Sequence, residues 1–92
     1  MKKAVIRFDP HALYRLIERS RSFGVPEEES RQRVLLTIRT GNRSQKHRSK
    51  RHSTFYRYFE DNLSYFVICR RYKKNNQRLF IVKTVIIERG RP

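Results

Sequence analysis

Seven basic side chains fall within one polar stretch of the sequence, residues 42–53. The stretch contains no apolar residue, so we expect a loop there and not a helix or strand. Lysine and arginine at this density bind phosphate groups electrostatically, whatever the base sequence. A solvated loop without a ligand is the competing interpretation. The candidate nucleic-acid-binding residues in the stretch are Arg43, Lys46, His47, Arg48, Lys50, Arg51 and His52.

Aromatic rings follow this loop directly, in the sequence Phe-Tyr-Arg-Tyr-Phe at residues 55–59. Exposed rings beside basic groups can stack bases while the cations hold phosphates. In a strand, Tyr56 and Tyr58 point to one face, and Arg57 and the two phenylalanines point to the other. The pattern does not show which face is exposed, and a core position for two or three of the rings is the alternative. Tyr56 and Tyr58 complete the candidate nucleic-acid-binding set.

Cations inside predicted strands, together with one histidine, are the candidates for catalysis. Lys83 interrupts the apolar run 79–87, where a charge destabilises the fold unless it reaches water, an acid or a phosphate. A lysine that guards an edge strand explains this residue equally well. His11 shares a helix face with two arginines, for which a solvated polar face is the competing interpretation. The candidate catalytic residues are His11, Arg57, Arg70 and Lys83.

The composition argues against metal and cofactor chemistry, and neither group is expected. One cysteine and three scattered histidines do not match a zinc site. Only three acidic residues follow residue 30, too few for a nuclease that uses two metal ions. RNA can nevertheless be cleaved without a metal, because its own 2′-hydroxyl is the nucleophile. The enzyme then has to position the RNA, neutralise charge and assist proton transfer.

Two helices and four strands are predicted to position these residues, in the order β-α-α-β-β-β. The first strand, 4–8, leads into Asp9-Pro10, which is typical of a helix start, and Gly24 is typical of a helix end. Pro26 opens a second helix with three glutamates in its first turn. The last three strands are predicted at 54–59, 64–72 and 78–88, joined by short turns that favour antiparallel pairing.

The predicted fold class is α+β, with two N-terminal helices packed on one face of a small, mainly antiparallel sheet. A chain of 92 residues accommodates one domain, 1–92, and its 12% aromatic content supports a packed core. The other face of the sheet is then expected to meet a partner. The net charge of +15 makes a polyanion the natural partner. Residues 1–30 contribute +1 of this charge and residues 31–92 contribute +14.

Cysteine use and hydropathy bear on the compartment. Cys69 is the only cysteine, so the fold does not depend on an internal disulfide. No apolar run approaches the roughly 20 residues that span a membrane, and residues 1–8 lack the apolar centre of a signal peptide. We therefore expect a cytoplasmic protein with no membrane partner.

The order of elements in about ninety basic residues resembles the RelE/ParE toxin superfamily. The segment Phe8–Ala12, the helix after it, and Gly24-Val25 before an acidic helix start are most similar in layout to BrnT-like ribonuclease toxins. The pair His11-Ala12, followed by Arg15 and Arg19, also resembles a related group of uncharacterised domains. The closing strands fit the same plan, so the likeness covers nearly the whole chain.

The resemblance implies the toxin of a type II toxin–antitoxin system, acting as a metal-independent endoribonuclease on free or ribosome-bound mRNA. It also implies a cognate antitoxin protein that holds the toxin inactive. Two alternatives stay open. One is a basic RNA- or DNA-binding protein without catalysis. The other is a toxin that inhibits a protein target such as DNA gyrase, because ParE-like members of the superfamily share the fold.

Overall fold

The computed structural model describes residues 4–40, 42–47 and 50–91. This part of the chain forms two helices and five strands, which confirms the predicted α+β class. In chain order the elements are β1 (Val5–Phe8), α1 (Pro10–Ser22), α2 (Glu27–Thr40), β2 (Asn42–Arg43), β3 (Ser53–Phe59), β4 (Leu63–Lys74) and β5 (Gln77–Arg89).

The five strands form one mixed sheet in the order β1-β5-β4-β3-β2. Strand β1 runs parallel to β5, and the other neighbours are antiparallel. The two-residue strand β2 corrects the prediction of a loop throughout 42–53, because Asn42 and Arg43 pair with Tyr56 and Phe55. Hydropathy could not reveal this strand, since both of its residues are polar and exposed.

Local signals at the helix ends explain where α1 and α2 begin. The Asp9 carboxylate accepts a hydrogen bond of 3.0 Å from the backbone N–H of His11, and Pro10 occupies the first turn of α1. Gly24 follows α1 with a φ of +70°, a conformation that glycine adopts without strain. The three glutamates in the first turn of α2 carry the charge that the helix dipole favours there.

The core lies between the two helices and one face of the sheet. Helix α1 packs on β5 and β1, while α2 packs on β4 and β3. Each fully buried Leu or Val side chain stabilises the fold by about 1.5–3 kcal/mol relative to an exposed position. The buried apolar residues of this core are Ala12, Leu16, Val25, Val34, Ile38, Phe55, Leu63, Tyr65, Val67, Cys69, Phe80, Val82, Val85 and Ile87.

A chain of hydroxyl groups crosses the core and joins three elements. The Tyr65 hydroxyl on β4 lies 2.7 Å from Ser30 Oγ on α2, which lies 2.5 Å from Ser20 Oγ on α1. Ser20 Oγ in turn donates to the backbone carbonyl of Leu16 over 2.5 Å. All three hydroxyl residues are fully buried, so this pairing removes the penalty of leaving a buried polar group without a partner.

Ion pairs fasten the turn between β3 and β4 to α2. The Arg33 guanidinium lies 2.7 Å from the Asp61 carboxylate on the turn and 2.9 Å from Glu29 on its own helix. It also lies over the Phe59 ring, 4.8 Å from the ring centroid. These contacts satisfy a cation of which only 14% of the side chain is exposed.

Strands β4 and β5 extend beyond β3 as a two-stranded hairpin. Strand β3 pairs with β4 only as far as Cys69, so in the described structure residues 70–74 pair with β5 alone. Asn75 and Asn76 form the turn, with φ angles of +51° and +62°. Two residues with positive φ form the type I′ turn that best fits the twist of a hairpin.

A bulge interrupts β5 opposite the end of β1. Ile68 pairs with Thr84 and Cys69 pairs with Val82, which leaves Lys83 without a cross-strand partner. Phe8 pairs with Val82, so Asp9 follows the last paired residue of β1. The extra residue therefore directs Lys83 towards the start of α1, where its Nζ lies 2.8 Å from the Asp9 carboxylate.

Candidate nucleic-acid interface

An open cleft of about 1190 Å³ lies where β3 ends and the β4–β5 hairpin continues alone. One wall comes from the segment after α2 and the chain leading into β3. The other wall comes from the hairpin. The lining residues are Arg43, Ser44, Gln45, Lys50, Arg51, His52, Ser53, Thr54, Arg71, Tyr72, Lys73, Arg78, Leu79 and Phe80.

The charge of this cleft is of one sign. Six of its lining residues are lysine or arginine and one is histidine, and none is acidic. Like charges this close repel each other, so an anion that enters the cleft relieves a repulsion present in the folded chain. The cleft is therefore suited to a ligand that carries several negative charges.

Strand alternation places the hairpin cations of the cleft on one face. Arg71 pairs with Phe80 and Lys73 pairs with Arg78, so these four side chains point to the same side of the sheet. The Phe80 ring packs edge-on against Phe55 at 5.7 Å and is only 7% exposed. In this part of the cleft, the cations therefore lie beside the buried ring of Phe80.

The opposite face of the hairpin presents an exposed aromatic ring. Tyr72 lines the cleft and is 40% exposed. The Arg70 guanidinium lies 5.2 Å from the centroid of its ring, which is within cation–π range. An exposed ring held against a cation can stack an unpaired base.

Four of the predicted nucleic-acid-binding residues line the cleft: Arg43, Lys50, Arg51 and His52. Arg43 lies over the ring of Phe55, with 4.8 Å between the guanidinium carbon and the ring centroid. The predicted residue Arg48 lies outside the described residues.

Two further loop residues, Lys46 and His47, face away from the cleft. Both contact the Glu88 carboxylate on β5, at 2.7 Å for Lys46 Nζ and 3.1 Å for His47 Nε2. The hydrogen bond from Lys46 is the main cause that holds the pKa of Glu88 below its usual value, and His47 adds to the effect. The loop thus covers part of the sheet face that was expected to be open to a partner.

The two tyrosines predicted to stack bases lie on the sheet face away from the helices. There, each of them contacts other side chains of the protein. Tyr56 packs on Phe66, with 5.1 Å between the ring centroids. The Tyr58 hydroxyl donates to Asn62 Oδ1 over 2.7 Å, and the Arg91 guanidinium lies 4.6 Å from its ring centroid. Neither tyrosine lines the cleft.

The four predicted catalytic residues lie in three separate places. Lys83 and His11 both contact Asp9, the first through its ammonium group and the second through its backbone N–H. The hydrogen bond from Lys83 is the main cause that lowers the pKa of Asp9. Arg70 lies at the margin of the cleft beside Tyr72.

Arg57 contacts none of the other three candidates in the described part of the chain. It shares the helix-covered face of β3 with Phe55 and Phe59, and it donates a hydrogen bond to the Thr40 hydroxyl at the end of α2. Its guanidinium carbon lies 5.6 Å from the centroid of the Phe59 ring. In this arrangement Arg57 ties a helix end to the sheet, and its catalytic role stays a prediction.

Sequence reasoning missed the hairpin half of the cleft. Residues 73–77 are predicted above as a turn, whereas β4 continues to Lys74 and β5 begins at Gln77. The alternation of basic residues at 71, 73 and 78 with Tyr72 was the available signal. Charged residues are rare in buried strands, so the charge of this segment favours a turn. Only the pair Asn75-Asn76 indicates a two-residue turn with strand on both sides of it.

The lone thiol takes no part in this site. Cys69 is fully buried beneath the helices, and burial raises the pKa of its thiol to about 12. The reactive thiolate form is therefore suppressed at neutral pH.

Metal-ligating side chains do not converge in the described part of the chain: no three His, Cys, Asp or Glu residues lie close enough to hold an ion. Neither described helix has the length and apolarity that a membrane crossing requires. Comparison of the chain with protein-family models, curated proteins and solved structures found no match.

Proposed function

We propose that this protein binds single-stranded RNA in the basic cleft between residues 43–45 and 50–54 on one side and the β4–β5 hairpin on the other. The observation that carries the proposal is a cleft with six lysine and arginine residues and no acid in its lining. A polyanion neutralises this charge and releases its own counterions on binding, which favours association.

The rings of the cleft support a single strand over a duplex. Tyr72 is exposed on one side of the hairpin while Arg71, Lys73 and Arg78 lie on the other. Unpaired bases can stack on such a ring while the backbone follows the cations, but bases inside a duplex are already stacked on one another. The resemblance to RelE-like toxins supports RNA over DNA as the ligand.

Salt dependence of binding tests the cleft directly. In the variant Arg71→Gln/Lys73→Gln/Arg78→Gln we expect a lower affinity for a single-stranded RNA, such as a 12-nucleotide oligouridylate. We also expect a shallower plot of log K against log salt, by about 0.7 for each phosphate that the variant no longer neutralises. The matched control is Arg21→Gln/Arg31→Gln/Arg39→Gln, which removes the same charge from the helices. Equal losses of affinity in the two triple variants would contradict binding in the cleft.

Metal-independent cleavage of the bound RNA is the second candidate function. One observation favours it: His52 lies in the cleft lining together with several guanidinium groups. A histidine can transfer protons while arginines stabilise the charge that develops on the phosphate. Incubation of RNA with the protein in EDTA tests the idea, with His52→Ala as the active-site variant. His11→Ala tests the catalytic histidine predicted from the sequence, which is exposed and lies outside the cleft lining. Loss of cleavage in His11→Ala but not in His52→Ala would contradict catalysis in the cleft.

If cleavage occurs, the proposed biological role is that of a cytoplasmic toxin restrained by an antitoxin protein. Expression in a bacterial host then arrests growth, and the cleft variants relieve the arrest. Growth arrest with intact RNA and failed DNA supercoiling would favour a protein target such as gyrase instead. RNA binding with no cleavage and no growth effect would leave the non-catalytic binding protein as the function.

A further inference from the structure

A second cluster of charged side chains lies around Glu88, which is not among the cleft-lining residues. Its carboxylate accepts from Lys46 Nζ through one oxygen and contacts His47 Nε2 through the other, at 2.7 and 3.1 Å. Only 33% of the Glu88 side chain is exposed, and 26% of His47. One acidic residue of β5 is thus shared between two adjacent basic residues of the loop.

Ring and backbone contacts support this ion pair and fix the loop in one position. The His47 imidazole stands edge-on to the buried Phe66 ring, with 4.9 Å between the centroids. Thr54 Oγ1 donates to the His47 carbonyl over 3.0 Å, and the Ser44 N–H donates to the Thr54 carbonyl over 3.0 Å. His47 itself has a φ of +61°, a conformation that non-glycine residues hold only when their surroundings maintain it.

The same loop contributes one wall of the cleft. Residues 43–45 and 50–53 line the cleft, while Lys46 and His47 between them reach β5 on the other side. We propose that Glu88 is a positioning residue that holds the loop in its RNA-binding arrangement through Lys46 and His47. This inference rests on the proposed function, and it goes beyond it by naming the residue that regulates the site.

Glu88→Gln and Glu60→Gln form a matched pair that separates positioning from simple electrostatics. Both variants raise the net charge by one, which on its own tightens RNA binding. Glu60 is exposed on the far turn between β3 and β4 and has no ion pair in the described structure. We expect Glu60→Gln to bind oligouridylate as tightly as the unaltered chain or slightly more tightly. We expect Glu88→Gln to bind about three- to tenfold more weakly, because the loop must then be ordered on binding.

Equal or tighter binding by Glu88→Gln than by Glu60→Gln overturns the proposal. If Glu88→Gln fails to fold, His47→Asn and Lys46→Gln remove the same contacts from the loop side, and asparagine tolerates the positive φ. We expect the same loss of RNA affinity in these variants, and unchanged affinity would equally overturn the proposal.

A double variant supplies a readout that a merely structural role does not move. Glu88→Gln combined with His47→Asn is expected to bind RNA no more weakly than Glu88→Gln alone, because both substitutions break one contact. Losses of affinity that add in the double variant contradict the role of Glu88.

Nuclear magnetic resonance of the protein without RNA distinguishes failure of this inference from failure of the proposed function. The backbone amide signals of residues 44–47 are expected to shift in Glu88→Gln and to stay in place in Glu60→Gln. A chain that binds no oligonucleotide contradicts the proposed function. Amide signals that do not move in Glu88→Gln contradict the contact on which this inference depends.

Discussion

The helix-covered part of the sheet and the hairpin end follow opposite rules for polar groups. Beneath the helices, the Ser20, Ser30 and Tyr65 hydroxyls form a closed chain, and Arg33 has two acidic partners. At the hairpin end, formed by residues 70–81 and the described parts of the loop 42–53, cations gather without a single acid in the cleft lining. One region is arranged for stability, while the other retains a repulsion that a ligand can relieve.

This division shows that stability and binding can be separated within 92 residues. The hairpin end contributes little to the core, since Phe80 is the one buried apolar side chain among its described residues. Its cations can therefore be changed without unfolding the domain. Substitutions beneath the helices should therefore change the free energy of unfolding, whereas substitutions at the hairpin end should mainly change RNA affinity.

The largest effect on stability is expected beneath the helices, from Leu16→Ala. Leu16 is fully buried, and truncation of such a side chain lowers the free energy of unfolding by about 2–5 kcal/mol. The matched control is Leu36→Ala on α2, where 40% of the leucine is exposed. Urea denaturation measures both. If the two variants lose equal stability, the core does not lie where the structure places it.

Loss of the hydroxyl chain is expected to have an intermediate effect. Tyr65→Phe keeps the ring in the core but leaves Ser30 without one of its partners, at a cost of about 1 kcal/mol. Tyr14→Phe is the control, because Tyr14 is 63% exposed on α1. Thermal unfolding of the two variants in the same buffer gives the comparison. An unchanged midpoint for Tyr65→Phe would contradict a stabilising role for the hydrogen-bonded hydroxyl groups.

The fold was predictable from local signals that act over a few residues. Asp9-Pro10 and Gly24 define α1, and the apolar periodicity defines both helix faces. The cleft was only half predictable, because its loop cations are adjacent in sequence while its hairpin cations depend on pairing between β4 and β5. The bulge at Lys83 could not be foreseen, since a one-residue shift in register leaves no trace in hydropathy.

A smaller effect of opposite sign is expected at the hairpin end. The variant Arg71→Gln/Lys73→Gln/Arg78→Gln removes three like charges, so it should raise the free energy of unfolding by up to about 1 kcal/mol at low salt. Salt at about 0.5 M should abolish the gain, because screening already removes the repulsion. Thermal unfolding at the two salt concentrations is the measurement. Destabilisation at low salt would show that these cations have stabilising partners in the fold.

The smallest effect is expected from the ion pair between Arg33 and Asp61, in which Asp61 is 43% exposed. The hydrogen bond from Arg33 holds the pKa of Asp61 below its ordinary value of 3.8. A carboxyl with a lowered pKa stabilises the fold above its unfolded value, and the stability is lost as the pH falls through the folded value. Asp61→Asn should therefore cost less than about 1 kcal/mol at pH 7, and the cost should shrink as the pH falls below 3.8.

Unfolding measured between pH 7 and pH 2 tests this prediction against Glu60→Gln as the control. Glu60 lies on the same turn and has no ion pair in the described structure, so its variant should follow the unaltered protein throughout. A difference for Asp61→Asn that does not shrink as the pH falls would rule out the charge as its origin.

The two-residue turn at Asn75 and Asn76 limits how this protein can change its length. Arg71, Lys73 and Arg78 share a face only because the turn keeps the two strands in their present register. A single inserted residue in either strand would send the cations beyond it to the other face, whereas an insertion of two in each would preserve the pattern. The hairpin can therefore lengthen or shorten in steps of two residues per strand, and its reach towards a ligand is adjustable only in units of about 7 Å.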